Sequence, residues 1–144
     1  MRELGTDQAG LDILHLGDCF ELLESAPLGR VGFTERDEVV ILPVSFVLDG
    51  QDVVFRAAAK SKLAAAEVGQ FVVFEADSYD AAAPSGWSVV VNGLAEIVDS
   101  PEETARLDRL GLAPWGGTGD PVWVRIRQSS INGRRIPAPA PAQG

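Results

Sequence analysis

The residues richest in chemistry stand close together: Arg56, Lys60, Ser61 and Lys62. The chain of 144 residues has a formal net charge of −9, and its only two lysines flank Ser61. A guanidinium, two ammonium groups and a hydroxyl in one short stretch are the donors that a phosphate requires. In so acidic a chain such a cluster points to an anionic ligand. A solvated Lys-Ser-Lys turn is the plainer alternative, since a motif of this length is weak by itself.

The flanking residues say how these groups are positioned. Over Val53–Ala58, Val54, Arg56 and Ala58 alternate with Val53, Phe55 and Ala57, the pattern of a strand. Leu63–Val68 is rich in helix formers and is closed by Gly69. The stretch reads as strand, basic turn and helix start, with Ser61 as N-cap. The amide N–H groups of that first turn would join the cradle.

Composition narrows the classes. Hydrophobic residues make up 46% and charged residues 23%, which describes one folded domain with a real core. Residues 1–15 carry Glu3, Asp7 and Asp12 and no apolar stretch, so no signal peptide is expected. No apolar run is long enough to span a membrane. The single cysteine, Cys19, and single histidine, His15, exclude an internal disulfide and a multi-histidine or multi-cysteine metal centre. A cytoplasmic location fits this cysteine usage. The acidic balance argues against nucleic-acid binding, which needs a broad basic face. Cys19 shares a helical face with Leu22, Leu23 and Ala26 and reads as a small core residue rather than a nucleophile.

In chain order, residues 1–15 are expected to form a flexible arm. Asp18 and Glu21 resemble a capping box for a short helix ending before Pro27. Leu28–Thr34 reads as a strand, followed by a turn at Glu35-Arg36-Asp37. Val39–Leu48 is apolar on both faces and predicts a central strand, within which Pro43 requires a bulge or a free edge. Asp49-Gly50 is a hairpin turn leading into Val53–Ala58. After the helix of residues 62–68, Gln70–Ala76 is a strand and Asp77–Gly86 a loop. Trp87–Val98 predicts the longest strand, bent at Asn92-Gly93. Ser100-Pro101-Glu102-Glu103 is a capping box with proline at the first helical position, and the helix is expected to reach Leu110 and stop at Gly111. Pro121–Gln128 alternates as a strand, and a short strand or turn follows over residues 129–136. The Pro/Ala tail at 137–144 is expected to be disordered. Six or seven strands with short links and three short helices give a mainly β fold, an antiparallel barrel or sandwich over residues 16–136.

The order of segments resembles the pyridoxamine 5′-phosphate oxidase-like, FMN-binding split-barrel family, in particular its small actinobacterial members. The matching segments are Leu28–Phe33, Pro43–Phe46, Val53–Arg56 with Ser61–Leu63, Gly86–Gly93, and Val124–Ile126 with Gly133–Ile136. The resemblance implies a homodimer with FMN in two clefts at the subunit interface. It implies that the main chain of Pro43, Val44, Ser45 and Phe46 lines the flavin ring and that Arg56, Ser61 and Lys62 hold the phosphate. It further implies closure of the site from the partner subunit, for which Trp87, Trp115 and Arg125 are the candidates.

Four positions depart from the family pattern. Ala57 stands where relatives carry Thr, Lys60 where they often have Gly, and Ser45-Phe46 where Asn-Tyr is common. Loss of the hydroxyl at position 57 removes a phosphate donor, about 1–1.5 kcal/mol, and Lys60 is placed to compensate. No acid–base pair is evident, and flavin chemistry does not require one.

The leading expectation is thus a flavin-dependent oxidoreductase acting on a small-molecule substrate. The alternative is a non-catalytic module that holds FMN, a deazaflavin or haem. For haem only His15 and Cys19 are conventional axial ligands, and both lie outside the barrel strands. A dimeric scaffold that has lost its cofactor is a third reading. Pyridoxamine 5′-phosphate oxidation itself is not expected, because no histidine follows position 15 to form that enzyme's C-terminal Arg-x-His.

Overall fold

The computed structural model describes residues 3–8, 10–58, 69–112 and 120–137. Nine strands and two helices are found among them: β1 Glu3–Thr6, β2 Asp12–Leu14, α1 Leu16–Ser25, β3 Gly29–Glu35, β4 Glu38–Val44, β5 Phe46–Asp49, β6 Asp52–Ala58, β7 Gln70–Asp80, β8 Ser85–Val98, α2 Pro101–Asp108 and β9 Pro121–Ile136. The expected helix at 62–68 and nearly all of the Pro/Ala tail lie outside the described residues.

All strand pairs are antiparallel, and the sheet runs β5-β6-β9-β8-β7-β3-β4, with β2 and then β1 added along the far half of β9. Its two end strands, β4 and β5, are consecutive in the chain and are separated by Ser45 alone. The sheet therefore curls until its first and last strands are two parts of one extended run, which makes it a split barrel. This corrects the single central strand expected over Val39–Leu48. The run divides at Ser45, and among the described residues β4 is paired on one side only, by β3. Pro43, which cannot donate to a ladder, lies on that edge strand.

The barrel interior follows from period-2 alternation. Val31 and Phe33 of β3, Val53 and Phe55 of β6, Phe74 and Ala76 of β7, Val89 and Val91 of β8, and Val124 and Ile126 of β9 are all buried in one cluster. Phe46 meets Phe74 edge-on, with ring centroids 4.7 Å apart, and ties β5 to β7 across the interior. Cys19 and Leu23, four residues apart on α1, add to the same core, as expected for Cys19. Burial raises the Cys19 thiol pKa, which removes it further from nucleophilic chemistry.

Local signals were decisive in some places and not in others. The turn between β3 and β4 places Arg36 at φ 49° and Asp37 at φ 65°, the left-handed pair that closes a two-residue hairpin. Strand β8 passes Asn92-Gly93 as one bent strand, with the register shift at that point, as expected. Ser100 Oγ accepts from the Glu103 amide at 3.4 Å, so the predicted cap of α2 is present, although the helix ends at Asp108 rather than Leu110. Helix α1 begins three residues earlier than its capping-box reading. His15 is the N-cap without a side-chain bond, and Asp18 falls in the first turn, where a carboxylate suits the helix dipole.

Three further expectations change. The loop over Asp77–Gly86 shrinks, because β7 and β8 pair continuously from Gln70–Ala95 to Asp80–Ser85. Residues 121–136 form a single strand that pairs with β8 along almost its whole length. Strands β1 and β2, within the segment expected as an arm, pair with each other and add to β9 through β2, where Arg134 and Arg135 pair with Asp7 and Asp12. No helix among the described residues is long and apolar enough to cross a membrane.

Candidate functional site

Arg56 is the described member of the predicted cradle; Lys60, Ser61, Lys62 and Trp115 lie outside the described residues. On β6 its side chain shares the outer face with Val54, and across the ladder Arg56 pairs with Trp123 while Val54 pairs with Arg125. Directly opposed residues on neighbouring strands present side chains to each other. The Arg56 guanidinium accordingly lies over the Trp123 ring, 5.4 Å from its centroid. Its Nη1 donates to the Leu112 carbonyl at 3.3 Å. Its Nε is buried and has no hydrogen-bond partner among the described residues.

That last feature is chemically informative. A buried N–H without an acceptor costs about 1–3 kcal/mol, and an anionic oxygen relieves it best. Arg56 is thus fixed from below by an aromatic ring and on one side by a carbonyl, with a donor left over. A phosphate group fits that donor.

The platform is built by α2. Trp123 is almost fully buried in a second, smaller apolar cluster with Val54 and Leu107, against which Val47, Val98 and Leu112 also pack. Its indole Nε1 donates to Asp108 Oδ1 at 2.8 Å. The helix covers the outer face of β6 and β9, and the chain leaving it brings Leu112 to Arg56.

The rest of that outer face is ionic. Arg125, 8% exposed at its side chain, donates to Asp49 at 2.6 Å, Glu103 at 2.7 Å and Asp52 at 3.2 Å. Arg106 of α2 joins Asp49 and Glu103 at 2.7 and 2.6 Å. A cleft of about 520 Å³ opens beside this network, and its walls include Asp49, Glu96, Asp99 and Glu103 against Arg125 and Arg127. Four carboxylates against two guanidinium groups disfavour a phosphate there. The charge of Arg125 is committed to holding α2 and the β5–β6 turn to β9.

The main-chain candidates stand at the split of the barrel. Val44 and Phe46 are buried and flank Ser45, where β4 ends and β5 begins. Trp87 lies elsewhere. On β8 it pairs with Arg135, whereas Val98 pairs with Trp123, the residue opposite Arg56. Positions 87 and 98 are eleven residues apart, roughly 35 Å of strand. Trp87 and Arg56 are therefore at opposite ends of the barrel.

A second surface stands out on the outer face of β3, β4 and β7. Val39 is 78% exposed, Phe71 72% and Ile41 65%, and Val73 lies beside them. Gly32 sits between Ile41 and Val73 in the ladder and leaves a shallow depression of about 310 Å³, closed at one side by Arg30, Glu75 and Asp77. Arg30 lies 3.3 Å from Glu75 and 3.4 Å from Asp77.

Trp123, Asp108 and Leu112 were not legible as site residues. The alternation of Pro121–Gln128 puts Trp123 on one face with Arg125, but nothing local says that β9 pairs with β6 or that α2 lies over both.

Fold and site together define the class of protein: an antiparallel split β-barrel with a partly satisfied arginine on an aromatic platform. The chain belongs to the pyridoxamine 5′-phosphate oxidase family, whose profile matches residues 16–135. It is 39% identical over 127 residues to the uncharacterized protein Rv0080 of Mycobacterium tuberculosis, covering 84% of this chain and 82% of that one. Among solved structures, it is similar to the FAD binding protein from Mycobacterium smegmatis, with a TM-score of 0.76 and 38% identity over 87% of this chain and 99% of that one. It is also similar to the conserved protein of unknown function DIP1874 from Corynebacterium diphtheriae, with a TM-score of 0.73 and 36% identity over 86% and 96% of the two chains.

Proposed function

We propose that this protein binds a flavin nucleotide and serves as a flavin-dependent oxidoreductase for a small-molecule substrate, working as a cytoplasmic homodimer. The observation that carries the reading is the buried Nε of Arg56, which has no hydrogen-bond partner among the described residues, on its Trp123 platform. Similarity to an FAD-binding protein along nearly its whole length supports it. FMN and FAD share the phosphate attached to the ribityl chain, and that shared group is the one assigned to Arg56. Lys60, Ser61 and Lys62 complete the cradle in this reading, and the main chain of Pro43–Phe46 borders the ring.

The flavin, when bound, supplies the electron-transfer chemistry. The chain's own residues bind the phosphate, orient the ring at the barrel split and exclude water from it. Trp87 belongs to the partner's half of such a site, because roughly 35 Å of strand separates it from its own Arg56 end. The apolar face of Val39, Ile41, Phe71 and Val73 is the surface that fits a second copy. Four exposed apolar side chains on neighbouring strands are the kind of surface that another chain covers.

The test is an absorption spectrum of the purified protein with mass identification of whatever denaturation releases. Bound FMN or FAD is expected, and the mass separates the two from each other and from a deazaflavin. Arg56→Ala is expected to lose the cofactor while keeping the fold. A colourless protein that also fails to take up added FMN, FAD or deazaflavin overturns the reading. Bound flavin that no nicotinamide or chemical donor can cycle would leave a binding module, the alternative motivated by the absence of an evident acid–base pair and by the departures at Ser45, Phe46 and Ala57.

A further inference from the structure

Helix α2 holds no group that points to a ligand, yet its last residue is chemically out of place. Asp108 puts a carboxylate at the helix C-terminus, where the helix dipole disfavours negative charge. Helix stability therefore does not explain it. Its observed partner does: the Trp123 indole N–H at 2.8 Å.

Trp123 in turn lies under Arg56, and Leu112, four residues beyond Asp108, accepts from the Arg56 guanidinium at 3.3 Å. Leu107 and Trp123 form one cluster against which Leu112 packs, so the ring and the residue that bears the carbonyl are joined to the helix in one packed body. That body is locked to the barrel through Arg106 and Arg125, which share Asp49 and Glu103. An arginine side chain has many rotamers, and an anion that must first immobilise it binds more weakly than one that meets it already fixed.

We propose that Asp108 and Trp123 are positioning residues for anion binding. Asp108 fixes the indole, the indole and the Leu112 carbonyl fix the Arg56 guanidinium, and Nε is thereby aimed at the phosphate. This inference rests on the assignment of the cofactor phosphate to Arg56.

FMN and riboflavin differ only in the phosphate, so the ratio of their dissociation constants isolates the phosphate contribution. The experiment measures both, by flavin fluorescence quenching, for the full-length apoprotein and three variants. The unaltered protein is expected to favour FMN by tenfold or more. Asp108→Ala and Trp123→Phe, which remove the acceptor and the donor of the 2.8 Å bond, are expected to reduce that ratio several-fold while riboflavin affinity stays the same. Asp108→Asn keeps an acceptor oxygen and is expected to keep the ratio. If the unaltered protein prefers FMN and both disruptive variants retain that preference, the positioning role is wrong and the phosphate site stands. If affinity for both ligands falls in parallel, the residues serve packing alone and the inference fails. If the unaltered protein does not distinguish FMN from riboflavin, the phosphate assignment itself falls, and this inference with it.

Discussion

Asp49 Oδ2 lies 2.6 Å from Arg125 Nη2, and this contact fastens the β5–β6 turn to the first half of β9. The same carboxylate oxygen accepts from Arg106 at 2.7 Å. Those hydrogen bonds, Arg106 foremost and then Arg125, hold the Asp49 carboxyl well below the usual carboxylate range. A depressed folded-state pKa contributes stability above the unfolded value, and that contribution is lost as pH falls toward the folded one. Asp49→Asn is expected to cost about 1–3 kcal/mol at pH 7. The deficit should shrink below pH about 4, where the unfolded-state carboxyl protonates. Urea melts of both proteins at pH 7 and pH 3 measure this, and a deficit of equal size at both pH values contradicts it.

Glu75 has the opposite sign. Burial first, and then the neighbouring Asp77 carboxylate, raise its pKa despite the Ser88 hydroxyl at 3.2 Å and Arg30 at 3.3 Å. A raised carboxyl favours the fold below its unfolded value, and the benefit disappears as pH climbs through the folded one. Glu75→Gln is therefore expected to raise the melting temperature at pH 7 and to have little effect near pH 4. A variant that is less stable than the parent at pH 7 refutes this.

Gly93 is fixed by close approach of backbone. A Cβ there would stand 2.2 Å from the Arg127 carbonyl oxygen and 2.9 Å from Ile126 Cγ2, at the register shift between β8 and β9. Neither strand can give way without breaking the ladder. Gly93→Ala is expected to cost about 1–3 kcal/mol. Gly17, inside α1 with nothing near its Cβ position, makes the contrast: Gly17→Ala should stabilise by up to about 1 kcal/mol. Thermal denaturation of the two variants should move in opposite directions.

The exposed face of β4 and β7 carries a prediction about assembly. Ile41→Glu and Phe71→Glu place charges at positions that are 65% and 72% exposed in the single chain. Each should leave the protomer folded and shift sedimentation from dimer to monomer. Retention of the dimer by both variants would exclude this face as the interface.

Much of the outline was present in the residues. Alternation over Val53–Ala58 and over Trp123–Arg127 placed Arg56 on one face of its strand and Trp123 and Arg125 together on one face of theirs, because side chains of a strand alternate whatever it pairs with. The caps of α2, the Asp49-Gly50 turn and the bend at Asn92-Gly93 are likewise local, set by a few adjacent dihedrals and hydrogen bonds. Five ordered segments were enough to indicate the split barrel. Tertiary structure alone decided which strands became neighbours. Ser45 interrupts Val39–Leu48 because the closing sheet must use that run at both of its ends, a demand that no local pattern expresses. Strand β2 formed because the far half of β9 offered it an edge, and β1 then paired with β2. Arg125 looked like a ligand group in sequence, yet Asp49 and Asp52, more than 70 residues earlier, already hold its charge. Asp108, Trp123 and Arg56 come from three separate elements, and only the docking of α2 across β6 and β9 brings them into line.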